Sequence, residues 1–229
     1  MPPAKRRPAP SSESSELATR VARRERRRER SREEILDAAR RVLLRSGVAA
    51  TTLEAVAKEV GVSKPTLYYY FASKNALLFE LIFGALTAEA QAIHDGVEKA
   101  QSGAEALGVI IRESFNAFTP SLDDFRLAFL HGQVALPGSV HFDAQQFARI
   151  RPLNDLRYGG AAKKLREEQL ARPSRANVQP RLMAFLAWIS AIGLLTVKGM
   201  VESLEDPLIY SDEQLIEGLA RIFEAAAAP

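Results

Sequence analysis

The stretch that decides the fold is Thr51–Leu77, which reads TTLEAVAKEVGVSKPTLYYYFASKNAL. Thr51 and Glu54 have the spacing of a capping box, in which each side chain accepts a hydrogen bond from the backbone amide of the other residue. We therefore expect a helix to begin here. Gly61 follows a run of apolar and helix-favouring residues, and a glycine in that place is typical of a helix end.

A second, shorter helix is predicted directly after this glycine. Ser63 can cap it, and Pro65 is harmless there because the first-turn amides of a helix have no intrahelical partner. The pattern indicates a helix from Lys64 to Tyr70. Two helices joined by a tight turn that contains glycine predict a helix-turn-helix.

The residues before this motif predict one more helix and a basic arm. From Ser31 onward an apolar stripe has helical spacing, and Gly47 ends it. Its members are Ile35, Leu36, Ala39, Val42 and Leu43. Residues 1–30 are rich in Pro, Ser and Arg, so we expect a disordered basic arm that follows DNA phosphates, or else a solvated tail. An alternative for part of the basic run is that it continues the next helix towards the N-terminus.

The residues after the motif also follow helical patterns. Ser73 can cap a long helix that reaches about Ala100, and a capping box at Ser211 and Gln214 begins the last helix. Between them lie patterns at about 104–118, 122–135, 144–171 (weakened by Gly159–Gly160) and 176–204. No segment alternates with period two. We expect an all-α chain of about nine helices, with a helix-turn-helix domain at 31–74 and a larger helical domain at 75–229.

Charge and composition narrow the classes of function. Residues 1–74 carry 17 Lys and Arg against 9 Asp and Glu, whereas the remainder carries 14 against 19. A basic end on an acidic body is typical of a chain that binds a polyanion at one end. The absence of cysteine excludes disulfides and thiolate metal sites and fits a cytoplasmic protein. The apolar stretch Leu182–Val197 is shorter than the roughly 20 residues of a membrane span, so we expect a buried helix and no membrane partner.

The motif closely resembles the DNA-binding domain of the tetracycline-repressor (TetR) family of bacterial regulators, over about residues 31–80. Asn75 departs from the family pattern, in which an acidic residue is usual there. The matching residues are Thr52, Val56–Ala57, Gly61–Val62–Ser63, Leu67–Tyr68–Tyr69–Tyr70–Phe71 and Ser73–Lys74.

The resemblance and the chemistry of the segment identify nine candidate DNA-binding residues. A recognition helix enters a major groove about 12 Å wide, so polar side chains near its start can reach base edges. We assign sequence readout to Lys64, Pro65, Thr66 and Tyr69, and positioning on phosphates to the others. For any single tyrosine the alternative is packing against the first helix. The full set is Thr52, Ser63, Lys64, Pro65, Thr66, Tyr68, Tyr69, Tyr70 and Lys74.

The resemblance also implies an effector cavity and a homodimer in the larger domain. The 182–204 helix is apolar nearly all round, as a helix is when its own subunit covers one side and a partner the other. We expect the homodimer to form through residues 176–204 and 211–226. The candidate ligand-binding residues are aromatic, with two polar handles: Phe115, Phe118, Phe125, Phe129, His131, Gln133, Phe147, Phe185 and Trp188.

These observations predict a ligand-responsive transcriptional regulator that binds DNA. We expect a repressor, which a small, largely apolar effector releases from a palindromic operator. A transcriptional activator of the same fold is one alternative, and a DNA-binding or architectural protein without a ligand is another. We expect that the chain is not an enzyme and that it has no cofactor and no metal site. His94, His131 and His141 lack metal-ligand spacing, and the chain has no Gly-rich phosphate loop and no G-x-S-x-G nucleophile turn.

Overall fold

The computed structural model of the chain describes residues 12–130, 142–171, 178–203 and 210–228. Within these ranges the chain is helical and contains no β-strand, so the prediction of an all-α fold is confirmed. The chain divides into two compact units, Met1–Leu77 and Leu78–Pro229. The sequence pattern predicted this boundary after Lys74, three residues earlier.

The first unit contains the predicted helix-turn-helix. Its helices are α1 (Ser12–Ala50), α2 (Leu53–Val60) and α3 (Lys64–Tyr70), and α4 (Lys74–Lys99) begins in this unit and continues into the second. The apolar stripe predicted from helical spacing forms much of the core. The buried apolar residues of this unit are Ile35, Ala38, Ala39, Val42, Leu43, Leu53, Val56, Ala57, Leu67, Phe71 and Leu77.

The turns of this unit depend on two glycines and on an N-cap that lies one residue later than predicted. Gly47 and Gly61 have φ values of 74° and 78°, which lie in the left-handed region that favours glycine. The predicted capping box at Thr51 is wrong, because Thr52 is the N-cap of α2. The Thr51 side chain is buried, and its hydroxyl donates to the Gly47 carbonyl at 2.8 Å, so it closes the end of α1 instead.

The N-terminal arm differs from the prediction. Residues 12–30 are helical and form the first half of α1, whereas the sequence predicted a disordered arm over residues 1–30. Arginine and glutamate are good helix formers, and an existing helix adds a residue more easily than a coil nucleates one, so the basic run extends α1. Residues 1–11 lie outside the described ranges.

The second unit contains the rest of α4 and the remaining helices. They are α5 (Gly103–Phe118), α6 (Leu122–Phe125) with a π-helical turn (Arg126–Leu130), α7 (Ala144–Ile150), α8 (Leu153–Ala171), α9 (Pro180–Ser203) and α10 (Asp212–Ala227). The pattern predicted at 144–171 is interrupted at Arg151–Pro152. Gly159–Gly160, the predicted weak point, lies inside α8.

The core of this unit is formed by α4, α5, α8, α9 and α10. Ile93 and Val97 of α4 pack in one apolar cluster with residues of the other four helices. By length and composition, α4 and the Pro180–Gly199 part of α9 could cross a membrane. In this structure α9 packs on α5 and α8. Helix packing therefore explains why the face of α9 that contacts these two helices is apolar.

Candidate functional site

The recognition helix α3 rests on one buried leucine and exposes most of its other side chains. Leu67 is fully buried, whereas Lys64, Pro65 and Thr66 in the first turn are exposed. Tyr68 is 46% exposed and Tyr69 is 63% exposed, although large aromatic side chains are usually buried. Their exposure fits aromatic rings that contact a partner.

Two caps fix the orientation of the motif. The Thr52 hydroxyl accepts a hydrogen bond from the Ala55 amide at 3.1 Å, and the Ser63 hydroxyl accepts one from the Thr66 amide at 3.3 Å. The Ser63 and Thr66 hydroxyls are also 2.8 Å apart and share a hydrogen bond. The cap at Ser63 confirms the prediction, and these contacts hold the start of α3 in one conformation before any partner binds.

Lys64, the first residue of α3, has an acidic neighbour that the sequence pattern did not indicate. Its ammonium forms an ion pair with Glu54 of α2 and lies 5.8 Å from the centre of the Tyr68 ring. The hydrogen bond between them lowers the pKa of the Glu54 carboxyl and raises the pKa of Lys64. Lys64 therefore stays charged, and any other anion or hydrogen-bond acceptor competes with Glu54 for it.

Lys74 and Tyr70 are more enclosed than the other candidates. The Lys74 ammonium donates to the carbonyl oxygen of Val48, near the end of α1, and burial lowers the pKa of this ammonium. Tyr70 is half-buried, and its ring meets Tyr69 edge-on at 5.2 Å. Both residues have structural contacts within the unit.

Five of the nine candidate ligand-binding residues of the second unit form one aromatic cluster. Phe118, Phe125 and Phe129 contact one another at ring distances of 5.3 to 5.7 Å. The ring centre of Trp188 lies 5.9 Å from that of Phe129 and 5.9 Å from that of Phe185, so the cluster extends to α9.

The other four candidates differ in position. Phe115 is buried in the same apolar cluster as Phe118 and Phe125. Phe147 on α7 is 55% exposed, and its ring contacts Phe142. His131 and Gln133 lie outside the described residues.

A buried ion pair beside this cluster was not anticipated. The side chains of Glu89 on α4 and Arg157 on α8 are 0% and 3% exposed, and the Arg157 Nε donates to the Glu89 carboxylate at 2.6 Å. The Trp188 indole donates to the other carboxylate oxygen at 2.7 Å, and the Ser114 hydroxyl donates to it at 3.4 Å. Burial raises the pKa of Glu89, and Arg157 opposes this shift. Glu89 joins four helices through these contacts.

The aromatic cluster opens to a cleft. Tyr158, Phe185 and Trp188 line a cleft of about 520 Å³ together with polar side chains that include Asn154 and Arg181. Tyr158 meets the Phe185 and Trp188 rings edge-on, each at 5.8 Å. Burial raises the pKa of Tyr158 to about 12, so its hydroxyl is neutral at physiological pH.

The outer faces of α9 and α10 are apolar and exposed. Ile189 and Val197 on α9 are 44% and 47% exposed, and Ile222 on α10 is 65% exposed. A groove between these helices is lined by Gly193, Val197, Leu219 and Ile222, among others. Large exposed apolar patches mark interaction surfaces. Among the described residues, no group of three or more His, Asp or Glu could hold a metal ion.

Comparison with known proteins points to one family. The family model "Bacterial regulatory proteins, tetR family" matches residues 35–81. The HTH-type transcriptional regulator BetI of Rhizobium meliloti is 35% identical over 100 residues, which are 42% of this chain and 48% of BetI. The match therefore spans about half the length of that relative.

Solved structures resemble this chain over most of its length. The regulator FadR from Bacillus subtilis, in complex with stearoyl-CoA, has a TM-score of 0.64 at 16% identity over 85% of this chain and 98% of FadR. AibR, in complex with isovaleryl coenzyme A and operator DNA, has a TM-score of 0.59 at 20% identity over 85% of this chain and 98% of AibR. At these identities the likeness shows the fold alone.

Proposed function

We infer that this chain, which belongs to the TetR family of bacterial regulatory proteins, is a transcriptional regulator that binds double-stranded DNA through α2 and α3. The observation that carries the proposal is the helix α3, which is anchored by the buried Leu67 and exposes Tyr68 and Tyr69. Recognition of DNA by a helix-turn-helix needs such a rigid helix with polar and aromatic side chains near its start.

The contacts within the unit divide the candidate residues by role. Lys64, Pro65, Thr66 and Tyr69 are exposed at the start or outer face of α3, so we assign base readout to them. Lys74 holds the end of α1 through the Val48 carbonyl, which supports a positioning role. The residues that we assign to phosphate contact and to positioning of the motif are Thr52, Ser63, Tyr68, Tyr70 and Lys74.

Selection of bound duplexes from a random-sequence pool by the full-length chain tests this function. We expect an enriched sequence with two-fold symmetry, because a dimer places two recognition helices on half-sites about 34–36 Å apart. The matched control is a Leu67→Asp variant, in which α3 has no apolar anchor. Equal enrichment by this variant, or no enrichment by the unmodified chain, overturns the proposal.

We propose that a second copy of the chain covers the apolar faces of α9 and α10. A two-fold dimer uses the same surface patch on both subunits, and the exposed Ile189, Val197 and Ile222 provide one. Because the patch includes a groove, apolar side chains of the partner can enter it. The proposed dimer therefore forms through the regions predicted at 176–204 and 211–226.

We further propose that an effector with a largely apolar body binds at the cleft beside Trp188. The lining rings of Tyr158, Phe185 and Trp188 support an apolar ligand, and Asn154 and Arg181 supply polar contacts at its mouth. FadR and AibR were solved with acyl-CoA thioesters, so acyl-CoAs are the first ligands to test.

A contact of Trp188 supports coupling between this cleft and DNA binding. Trp188 is hydrogen-bonded to Glu89 of α4, and α4 begins in the DNA-binding unit. A ligand at Trp188 can therefore act on the helix that continues from the recognition motif.

Reciprocity tests this coupling. If an acyl-CoA releases the chain from its selected duplex, the same duplex must weaken acyl-CoA binding by the same factor, typically about 5- to 150-fold. Calorimetric titration of acyl-CoAs of graded chain length, with and without the duplex, measures both affinities. Equal affinities in the two titrations contradict an effector that acts on DNA binding.

We assign the chain to the cytoplasm, where DNA and metabolites are both accessible, and we favour repression over activation. A chain bound at a site that overlaps a promoter blocks transcription, and an effector that releases the chain restores it. Activation instead requires the bound chain to contact the transcription machinery. Transcription in vitro from a promoter that overlaps the selected site distinguishes the two. Lower transcript levels with the chain present are expected for a repressor.

A further inference from the structure

The first half of α1 is a charged helix that continues from the DNA-binding unit. α1 begins at Ser12, and its helical φ and ψ angles continue to the kink at Gly47. The arginines between residues 20 and 30 are all exposed, namely Arg20, Arg23, Arg24, Arg26, Arg27, Arg28 and Arg30. This half of α1 is therefore a helical projection with seven exposed cations.

The charges on this projection are sorted onto opposite faces. At 100° per residue, five of the arginines fall within an arc of about 120°. These five, which we call the arginine face, are Arg20, Arg23, Arg24, Arg27 and Arg30. Glu25, Glu29 and Glu33 follow one another at four-residue spacing on the opposite side, so no acidic residue between Arg20 and Arg30 lies on the arginine face.

Most of the arginine face is available to a partner. Among the described residues, Arg20, Arg23, Arg24 and Arg27 form no ion pair. Arg30 is paired with Glu34 at 3.4 Å, but both side chains are well exposed and such a pair contributes little. Among the described residues, four of the five cations of the arginine face are therefore available to a polyanion.

The projection is also connected to the recognition helix. Arg28 lies next to the arginine face, and its guanidinium is 5.4 Å from the centre of the Tyr69 ring. One turn later, the Arg32 guanidinium is 5.5 Å from the centre of the Phe71 ring. Tyr69 is the most exposed tyrosine of α3, so cations of α1 lie directly beside the exposed side of the recognition helix.

We propose that the arginine face of α1 is a second DNA-binding surface, which follows the phosphate backbone beside the site that α3 reads. This proposal rests on the proposed function. Three of the four steps between successive arginines on the face are three residues long, or about 4.5 Å along the axis, and the duplex carries one charge per roughly 1.7 Å of its axis. Several phosphates are therefore within reach of one helix. A membrane partner is disfavoured because the opposite face is acidic, whereas a helix that lies on a membrane needs an apolar face.

The test compares two triple variants of equal charge change in the full-length chain. Arg20→Gln, Arg24→Gln and Arg27→Gln remove three of the five cations of the arginine face, and glutamine preserves the helix. Lys163→Gln, Lys164→Gln and Arg166→Gln on α8 are the matched control. Binding is measured against salt concentration on two duplexes of about 40 base pairs, one selected by the unmodified chain and one of random sequence.

The expected result is a flatter salt dependence for the α1 variant on both duplexes. The slope of log K against log salt falls by about 0.9 for each phosphate that the variant no longer neutralises, or by up to about three per protomer. The base preference stays unchanged, because phosphate contacts carry no sequence information directly. The α8 variant keeps the original slope.

Three outcomes overturn the proposal. One is an unchanged slope for the α1 variant, and another is an equal reduction in the α8 variant, which indicates a general charge effect. The third is an unchanged DNA slope with weaker binding to anionic phospholipid vesicles, which assigns the arginines to a membrane. If the unmodified chain binds neither duplex, the proposed function itself fails, and this result is distinct from the other three.

Discussion

At the scale of single residues, the ion pair between Lys64 and Glu54 restrains a side chain that we assign to base readout. Glu54→Gln frees the Lys64 ammonium and removes a negative charge beside the DNA, so affinity for all duplexes is expected to rise. Lys64→Gln instead changes which bases are preferred, because glutamine presents different hydrogen-bonding groups to a base edge. Binding-site selection and affinity measurements with both variants check this, with Lys163→Gln as a control. An unchanged base preference for Lys64→Gln removes Lys64 from the readout set.

Tyr68 and Lys74 are both assigned to positioning, but only Lys74 has a hydrogen bond to the backbone of another helix. Tyr68→Phe deletes one hydroxyl from an exposed ring, so we expect DNA affinity to fall by about tenfold, as for one hydrogen bond, with stability unchanged. Lys74→Met leaves the Val48 carbonyl without this donor, so both DNA affinity and thermal stability should fall. Calorimetric unfolding separates the two variants. If Tyr68→Phe also lowers the unfolding temperature, Tyr68 is a packing residue.

Sequence reasoning located single residues well where the chemistry is local. The caps at Ser63 and Ser73 depend on a hydroxyl and an amide three residues away, so they can be read from the sequence. Thr51 and Thr52 offer the same hydroxyl, and only the course of the chain after Gly47 decides which one caps α2. Glu89 and Arg157 are 68 residues apart in the chain. Nothing local distinguishes them from solvated charges, which is why the pair was missed.

At the scale of elements, the pair Glu89–Arg157 is a buried polar connection between α4 and α8. Arg157→Met leaves a buried carboxylate without its cation, which costs about 3–5 kcal/mol. The double variant Glu89→Gln with Arg157→Met has no buried charge at this pair, so it should recover much of this stability. Urea unfolding of the two single variants and the double variant gives the coupling energy. A coupling near zero means that the two side chains do not depend on each other.

The raised pKa of Glu89 gives this pair a pH dependence of known sign. The folded chain keeps the Glu89 proton at a pH where the unfolded chain, with a pKa near 4.5, has released it. The stability from this group is therefore complete below about pH 4.5 and is lost as the pH rises through the folded pKa. Relative to Glu89→Gln, the unfolding free energy of the unmodified chain should fall as the pH rises from the unfolded value through the folded pKa of Glu89. A relative rise contradicts the shift.

The elements that sequence reasoning misplaced share a physical cause. Helical propensity favours an extended α1, but the absence of apolar periodicity in residues 12–30 suggested disorder instead. Gly159–Gly160 is tolerated inside α8, and there Gly160 packs closely against Val97 of α4. The break occurs at Pro152, whose ring cannot continue the helix before it. Periodicity therefore predicts which helices exist, while packing and backbone chemistry decide where they end.

At the scale of the whole molecule, the apolar faces of α9 and α10 predict a dimer that a single charge can weaken. Val197→Glu places a carboxylate in the groove that we assign to the partner subunit, and an interface hot spot is worth about 2 kcal/mol or more. We expect dimerisation at least about tenfold weaker, together with reduced affinity for the symmetric duplex. Light scattering at micromolar concentration measures the dimer.

The control for this experiment is an exposed leucine on another helix. Leu170 on α8 is 84% exposed and lies outside the proposed interface, so Leu170→Glu should leave the dimer intact. Equal weakening by the two variants means that the general charge of the surface, and not the α9–α10 face, controls association. A monomeric unmodified chain contradicts the dimer itself.

Trp188 is the only tryptophan among the 229 residues, and this gives the chain an optical reporter at a single position. Its indole is hydrogen-bonded to Glu89 and lies among Phe129, Tyr158 and Phe185, so its emission depends on the polarity and hydrogen bonding of that one place. A compound that enters the cleft lies against the indole and changes its surroundings. A collection of metabolites can therefore be screened on the unlabelled, full-length chain by its ultraviolet fluorescence, and compounds that bind elsewhere should leave the spectrum unchanged.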